Sequence, residues 1–187
     1  IATISAGALK SAFAPGTWRV LVGCAPCQPF SLYTQARQDS RWRLLSEFSR
    51  LIKEVEPDVV SMENVQRLRR FKDGAVLSAF VACLEANGYF VSEQDVYCPD
   101  YGVPQSRTRL VLLASKHGPI SLEPPPRDGG LAPTVREAIS SLAALKAGQV
   151  DKDDALHAAA GLSPINLRRI DASKPGGTWR DWPMGLK

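Results

Sequence analysis

The sequence predicts an α/β fold: short strands alternating with helices in a sheet that is mostly parallel in its first part, finished by an antiparallel edge hairpin. Apolar strand-length runs occur at residues 17–22, 58–62, 89–97 and 109–115. Between the first three runs lie segments whose apolar residues recur at helical spacing, the pattern of parallel strands joined by helical crossovers. Between the last two runs no such spacing appears, which suits a hairpin.

Each element follows from its residues. Residues 17–22 (TWRVLV) read as a buried strand ending at Gly23, followed by a Pro-, Ser- and Gln-rich stretch that reads as a long loop. Over residues 41–55, Leu45, Phe48, Leu51, Ile52 and Val55 share one helical face. Residues 58–62 (DVVSM) form the second strand. A second helix spans residues 74–87, with Leu77, Phe80, Val81 and Leu84 inward and Gly88 placed to cap it. The strands 89–97 and 109–115 close the sheet. After Lys116 the character changes: three prolines at 124–126 and Gly129-Gly130 mark a linker. Residues 134–145 predict a helix opened by a Thr134–Glu137 capping box. Residues 146–165 show no clear period. Residues 166–187 are basic and carry Trp179 and Trp182, which suits either a phosphate-contacting segment or a solvated tail.

Composition sets bounds. The chain has 187 residues, 44% of them hydrophobic and 22% charged, ordinary values for a globular protein with its own core. A net charge of +4 fits a nucleic-acid partner without singling one out. No apolar run reaches the roughly 18 residues of a membrane span. Four cysteines (Cys24, Cys27, Cys83, Cys98) are too sparse for a secreted disulfide scaffold and read as reduced thiols of a cytoplasmic protein.

Three short motifs carry chemistry. In Pro26-Cys27-Gln28-Pro29-Phe30-Ser31, a cysteine follows a strand at the mouth of a polar loop, where a thiolate can be presented while the loop folds over it. The spacing Cys24-Ala25-Pro26-Cys27 also fits a redox site. That site needs its second cysteine inside a helix, and Pro29 opposes one. With no second close cysteine pair, no metal site is expected. Glu63-Asn64-Val65 follows the second strand, where partial desolvation would favour a protonated carboxyl able to donate to a ring nitrogen. In Gln105-Ser106-Arg107-Thr108-Arg109, the two arginines project to one side of a strand, an arrangement suited to a carboxylate, phosphate or carbonyl oxygen.

In this order, and with Tyr101-Gly102-Val103-Pro104 before the last, these motifs resemble the central part of the cytosine-5 DNA methyltransferases. The resemblance covers residues 17–115, with a weaker likeness to the target-recognition region from there to residue 187. It implies part of a Rossmann-like S-adenosylmethionine-dependent methyltransferase sheet. Residues 1–118 would be the catalytic core, and 119–187 a linker and the beginning of target recognition. It implies duplex DNA as substrate, with the target cytosine flipped out of the stack. Cys27 would attack carbon 6, Glu63 would serve the ring nitrogen, Arg109 would hold the ring carbonyl oxygen, and Arg107 would orient Glu63 and a phosphate. Gln28, Ser31, Asn64 and Gln105 would belong to the substrate site, with Asn64 bracing the loop that carries Cys27. Pro26 would lie beside the methyl donor. A bacterial restriction–modification setting, with a cognate endonuclease as possible partner, goes with the same resemblance. So does the tRNA-methylating branch as an alternative substrate class. A glycine-rich cofactor loop is not found, and the closing motifs are missing after Lys187. The expectation is therefore the middle of an enzyme, one that binds the methyl donor poorly and is inactive alone. A half-enzyme needing a partner chain is the related alternative.

Overall fold

The computed structural model describes residues 2–25, 40–125 and 133–187. Two compact units divide the chain, residues 1–135 and 136–187.

The first unit is built on a four-stranded sheet. Its strands are β1 (Val20–Gly23), β2 (Val59–Asn64), β3 (Phe90–Tyr97) and β4 (Thr108–Ser115), in the order β1-β2-β4-β3. β1 and β2 are parallel, whereas β4 runs antiparallel to both β2 and β3. The expected edge hairpin is therefore present, with β3 as the edge. Helices α1 (Ala6–Lys10), α2 (Leu44–Val55) and α3 (Ala75–Ala86) complete the unit.

All five residues on the predicted face of α2 are buried: Leu45, Phe48, Leu51, Ile52 and Val55. The helix ends where Glu56 adopts a left-handed conformation (φ 55°) immediately before Pro57, which cannot continue a helix. In α3, Leu77, Phe80 and Leu84 are buried and Val81 is half-buried against the same core; Gly88 follows with φ +82°. These two helices pack on the sheet face formed by Val60, Met62, Leu110, Leu112 and Ala114. Burial alternates along β2, so Ser61 and Glu63 project to the opposite, half-exposed face.

Three expectations need correction. β1 is not a buried strand. Val20 is 48% and Val22 65% exposed, because among the described residues β1 pairs on one side only, with β2. β2 does not stop at Met62. Pairing with β4 through Glu63↔Val111 and Asn64↔Leu110 draws both residues into the strand. The helix expected over 134–145 is one short turn, α4 (Val135–Ile139). Val135, Ile139 and Leu142 are all more than half exposed, so an apolar stripe without a core to cover lacks the packing that sustains most helices. Ser140 and Ser141 follow directly, and serine competes for the backbone in helix interiors.

The second unit has little regular structure. One isolated bridge joins Val150 and Ala158, and α5 (Pro164–Asp171) is its longest helix. The final stretch is ordered by local bonds. Thr178 and Asp181 form a capping box, the Trp182 indole donates to Ser173 Oγ (3.0 Å), and Arg169 Nε donates to the Leu186 carbonyl (2.8 Å) beneath the Trp182 ring. Local bonds order this segment, while most of its residues remain exposed. No described helix is long and apolar enough to cross a membrane.

Candidate active site

The carboxyl ends of β1 and β2 lie side by side, with Gly23 opposite Met62. Gly23 packs directly beneath Phe48, where a Cβ would sit 2.6 Å from the ring. Only glycine lets β1 approach α2 this closely, and the strand then delivers Cys24 and Ala25 to the rim of the sheet. Pro26, Cys27, Gln28 and Ser31 lie outside the described residues.

Asn64 ends β2 and is 1% exposed. Its amide is fully committed: Nδ2 donates to the Ala25 carbonyl (3.1 Å) and Oδ1 accepts from the Val65 backbone N–H (2.9 Å). A side chain so enclosed fits the bracing role that the resemblance implies. It ties the residue two before Cys27 to the end of β2.

Glu63 projects to the other face and meets Arg109. Arg109 Nε lies 2.8 Å from Glu63 Oε1, and Arg107 Nη2 lies 4.0 Å from the same oxygen. Sheet register explains the convergence. Glu63 stands opposite Val111, so Arg109, two residues earlier on the same strand face, is its diagonal neighbour. Arg107 precedes the strand and reaches from farther away. The resemblance gave Arg107 the orienting role; the shorter contact belongs to Arg109, which also donates from Nη1 to the Thr108 carbonyl. The Glu63 side chain is 40% exposed, more open than its strand-end position suggested.

Gln105 is exposed, and its backbone N–H closes a tight turn onto the Val103 carbonyl (2.7 Å). The turn is anchored from both sides. Cys98 N–H donates to the Arg107 carbonyl (2.8 Å), and the Tyr101 hydroxyl donates to the Glu123 carbonyl (3.0 Å). Cys24, Cys83 and Cys98 are free thiols, and no group of potential metal ligands occurs among the described residues.

Sequence reasoning missed the far end of the sheet. Asp58 accepts from the Arg19 backbone N–H (2.8 Å) and lies 3.2 Å from His117 Nε2, and these contacts hold its carboxyl down at about 2. The Tyr89 hydroxyl, buried and donating to the Pro57 carbonyl (2.6 Å), is pushed up to about 12 by that burial. Both anchor the chain where β1 and β2 begin, away from Glu63. An Asp after a proline gave no sequence signal of this.

The mixed sheet thus carries a carboxylate beside two arginines on one face, near a strand end whose Asn64 is bonded to Ala25. A family model for C-5 cytosine-specific DNA methylases matches residues 6–159, and the chain belongs to that family. The type II methylase M.HgiDII of Herpetosiphon aurantiacus is 50% identical over the whole chain, which covers 53% of that relative. The type II methyltransferase M.PspPI of a Psychrobacter strain is 34% identical over 89% of the chain and 40% of its own length. The chain thus spans about half the length of these relatives, or less. A crystal structure assigned to a DNA modification methyltransferase encoded within an Escherichia coli prophage superposes with a TM-score of 0.62. It is 25% identical and covers 81% of this chain and 43% of that one.

Proposed function

We propose that this chain carries the cytosine-activating part of a DNA (cytosine-5) methyltransferase of a type II restriction–modification system. The observation that carries the reading is the convergence of Arg109 and Arg107 on one oxygen of Glu63, next to a strand end whose Asn64 is bonded to the Ala25 carbonyl. Residues 119–187 are assigned to a linker and the start of target recognition. The setting would be the bacterial cytoplasm, with a cognate endonuclease acting at the same sites.

S-adenosylmethionine is the family's methyl donor and, when bound, supplies the methyl group. Among the described residues no strand runs into a glycine-rich turn at a helix N-terminus, the arrangement that cradles a nucleoside cofactor. The residues that would hold the adenosine are not among them, so the roles of this chain's side chains concern the cytosine alone. The Cys27 thiolate adds to carbon 6, and the displaced ring electrons move toward the ring nitrogen beside the amino group. There Glu63, carrying a proton, donates a hydrogen bond or the proton itself and is left as the carboxylate that Arg109 pairs and orients. The electron-rich carbon 5 is then the methyl acceptor. Loss of its proton to a base returns an electron pair that expels the thiolate. Covalent addition divides one difficult substitution into easier steps, and Glu63 stabilises charge where it develops.

A duplex carrying 5-fluorocytosine tests this, because fluorine cannot leave as the proton does. Incubation with the methyl donor should give a denaturation-resistant complex that disappears in Cys27→Ser. A complex that persists in Cys27→Ser removes the proposed nucleophile. A chain that traps nothing, even when joined to the remaining segments of a full-length relative, overturns the functional reading.

A further inference from the structure

Two short 3-10 segments flank the candidate site. One, Ser40–Arg43, follows the stretch containing Cys27; the other, Gln66–Gly74, begins two residues after Asn64. Their side chains meet. The Trp42 and Phe71 rings lie 6.4 Å apart, Lys72 Nζ sits 3.6 Å from the Trp42 centroid, and the Arg43 guanidinium carbon is 5.7 Å from it. One indole thus holds two cations, Arg43 and Lys72, which are both exposed.

The backbone is strained to achieve this. Lys72 (φ 49°, ψ 50°) and Asp73 (φ 56°, ψ 29°) are consecutive left-handed residues with side chains, followed by left-handed Gly74 (φ +84°). L-residues rarely adopt this region, and such conformations gather at ligand clamps. Arg43 and Lys72 form no ion pair with a carboxylate among the described residues, so both cations are open to an anionic partner.

We infer that Arg43 and Lys72, seated on Trp42, form a docking platform for the phosphodiester backbone of duplex DNA. The platform is carried by the two segments that follow, in the chain, the stretch containing Cys27 and the strand end at Asn64. The inference rests on the DNA-methylating reading and adds the contact that places the duplex. Cations pre-oriented on an aromatic ring lose little freedom on binding, and each phosphate neutralised releases counterions.

The test is the salt dependence of binding to a labelled, unmodified duplex, followed by fluorescence anisotropy. The full chain is compared with Arg43→Gln/Lys72→Gln and with Lys10→Gln/Lys53→Gln, which removes the same charge from exposed positions on α1 and α2. Two lost phosphate contacts should flatten the slope of log affinity against log salt by about 1.8. The affinity lost between about 50 and 200 mM salt should therefore shrink roughly tenfold for the platform variant. The control should keep the parent slope, and so should Lys72→Arg, which keeps the charge. Thermal melts establish that each variant is folded. A platform variant with the parent slope, or one matched by the control, overturns the platform and leaves the methylase reading intact. A chain that binds no duplex also overturns the platform. The 5-fluorocytosine trap judges the methylase reading separately.

Discussion

Asn64 offers the sharpest perturbation of the site. Its amide makes two bonds from a fully buried position, to the Ala25 carbonyl and the Val65 N–H. A typical hydrogen bond contributes about 1 kcal/mol net, and a stranded buried partner costs about 1–3 kcal/mol. Ala25 and Val65 are half-buried, so water relieves part of that cost and the low end applies. Asn64→Ala should therefore destabilise by about 2–4 kcal/mol, with part of the loss arising from the cavity. For a chain of this size that is a fall in Tm of roughly 5–15 °C. Asn64→Asp separates the two causes. It preserves volume and the acceptor for Val65, but turns a second oxygen toward the Ala25 carbonyl. If the bond to Ala25 holds the Cys27 loop, Asn64→Asp should slow 5-fluorocytosine trapping by on the order of 10²-fold, the usual effect of misplacing a reacting group by about 1 Å. The assay pairs urea denaturation with the trapping rate. An Asn64→Asp chain with the parent's midpoint and the parent's trapping rate would refute the brace.

Further outcomes follow from the geometry. Arg109→Gln removes the 2.8 Å partner of Glu63. Because the pair is partly exposed, stability should change by less than about 1 kcal/mol, while trapping should fall by on the order of 10²-fold; an equal trapping rate would contradict the orienting role. Gly23→Ala drives a methyl into the Phe48 ring and should cost about 1–3 kcal/mol in urea denaturation. Asp58 is depressed to about 2, chiefly by the Arg19 N–H, so its contribution is present above the unfolded carboxylate range near 4 and is lost as pH falls toward 2. Parent and Asp58→Asn should thus differ in urea midpoint near pH 6 and converge near pH 2. Tyr89, raised to about 12 by burial, contributes fully below its unfolded value near 10 and loses that contribution as pH rises from 10 to 12. The alkaline arm of a pH–stability profile should flatten over that window in Tyr89→Phe.

Where local patterning decides structure, the sequence was legible. The spacing 45, 48, 51, 52, 55 placed the buried face of α2 without error, because a helical period needs no partner to be read. The absence of a helix between the last two strands correctly announced their antiparallel pairing. Local patterning failed where a neighbour decides. The apolar run in β1 looked buried, but Val20 and Val22 are open among the described residues. β2 outran its apolar run because β4 supplies partners for Glu63 and Asn64. Residues 134–139 had an amphipathic pattern and a capping signature, yet without a surface to cover the stripe folds for a single short turn.

The candidate site divides along the same line. Chemistry was written in the residue types: a thiol after a strand, a carboxylate at a strand end, two arginines at alternate positions. These belong to the family whose model matches residues 6–159. What no local reading contained was the register Glu63↔Val111, which links residues 48 apart and makes Arg109 rather than Arg107 the close partner of the carboxylate. Nor did it contain the left-handed pair that lays Lys72 over Trp42. The sequence alone determined which functional groups are present and where the strongly periodic helices and strands of the first unit lie, because propensity and periodicity act over a few residues. Tertiary structure decided which groups meet, because strand register and burial are set by partners distant in the chain.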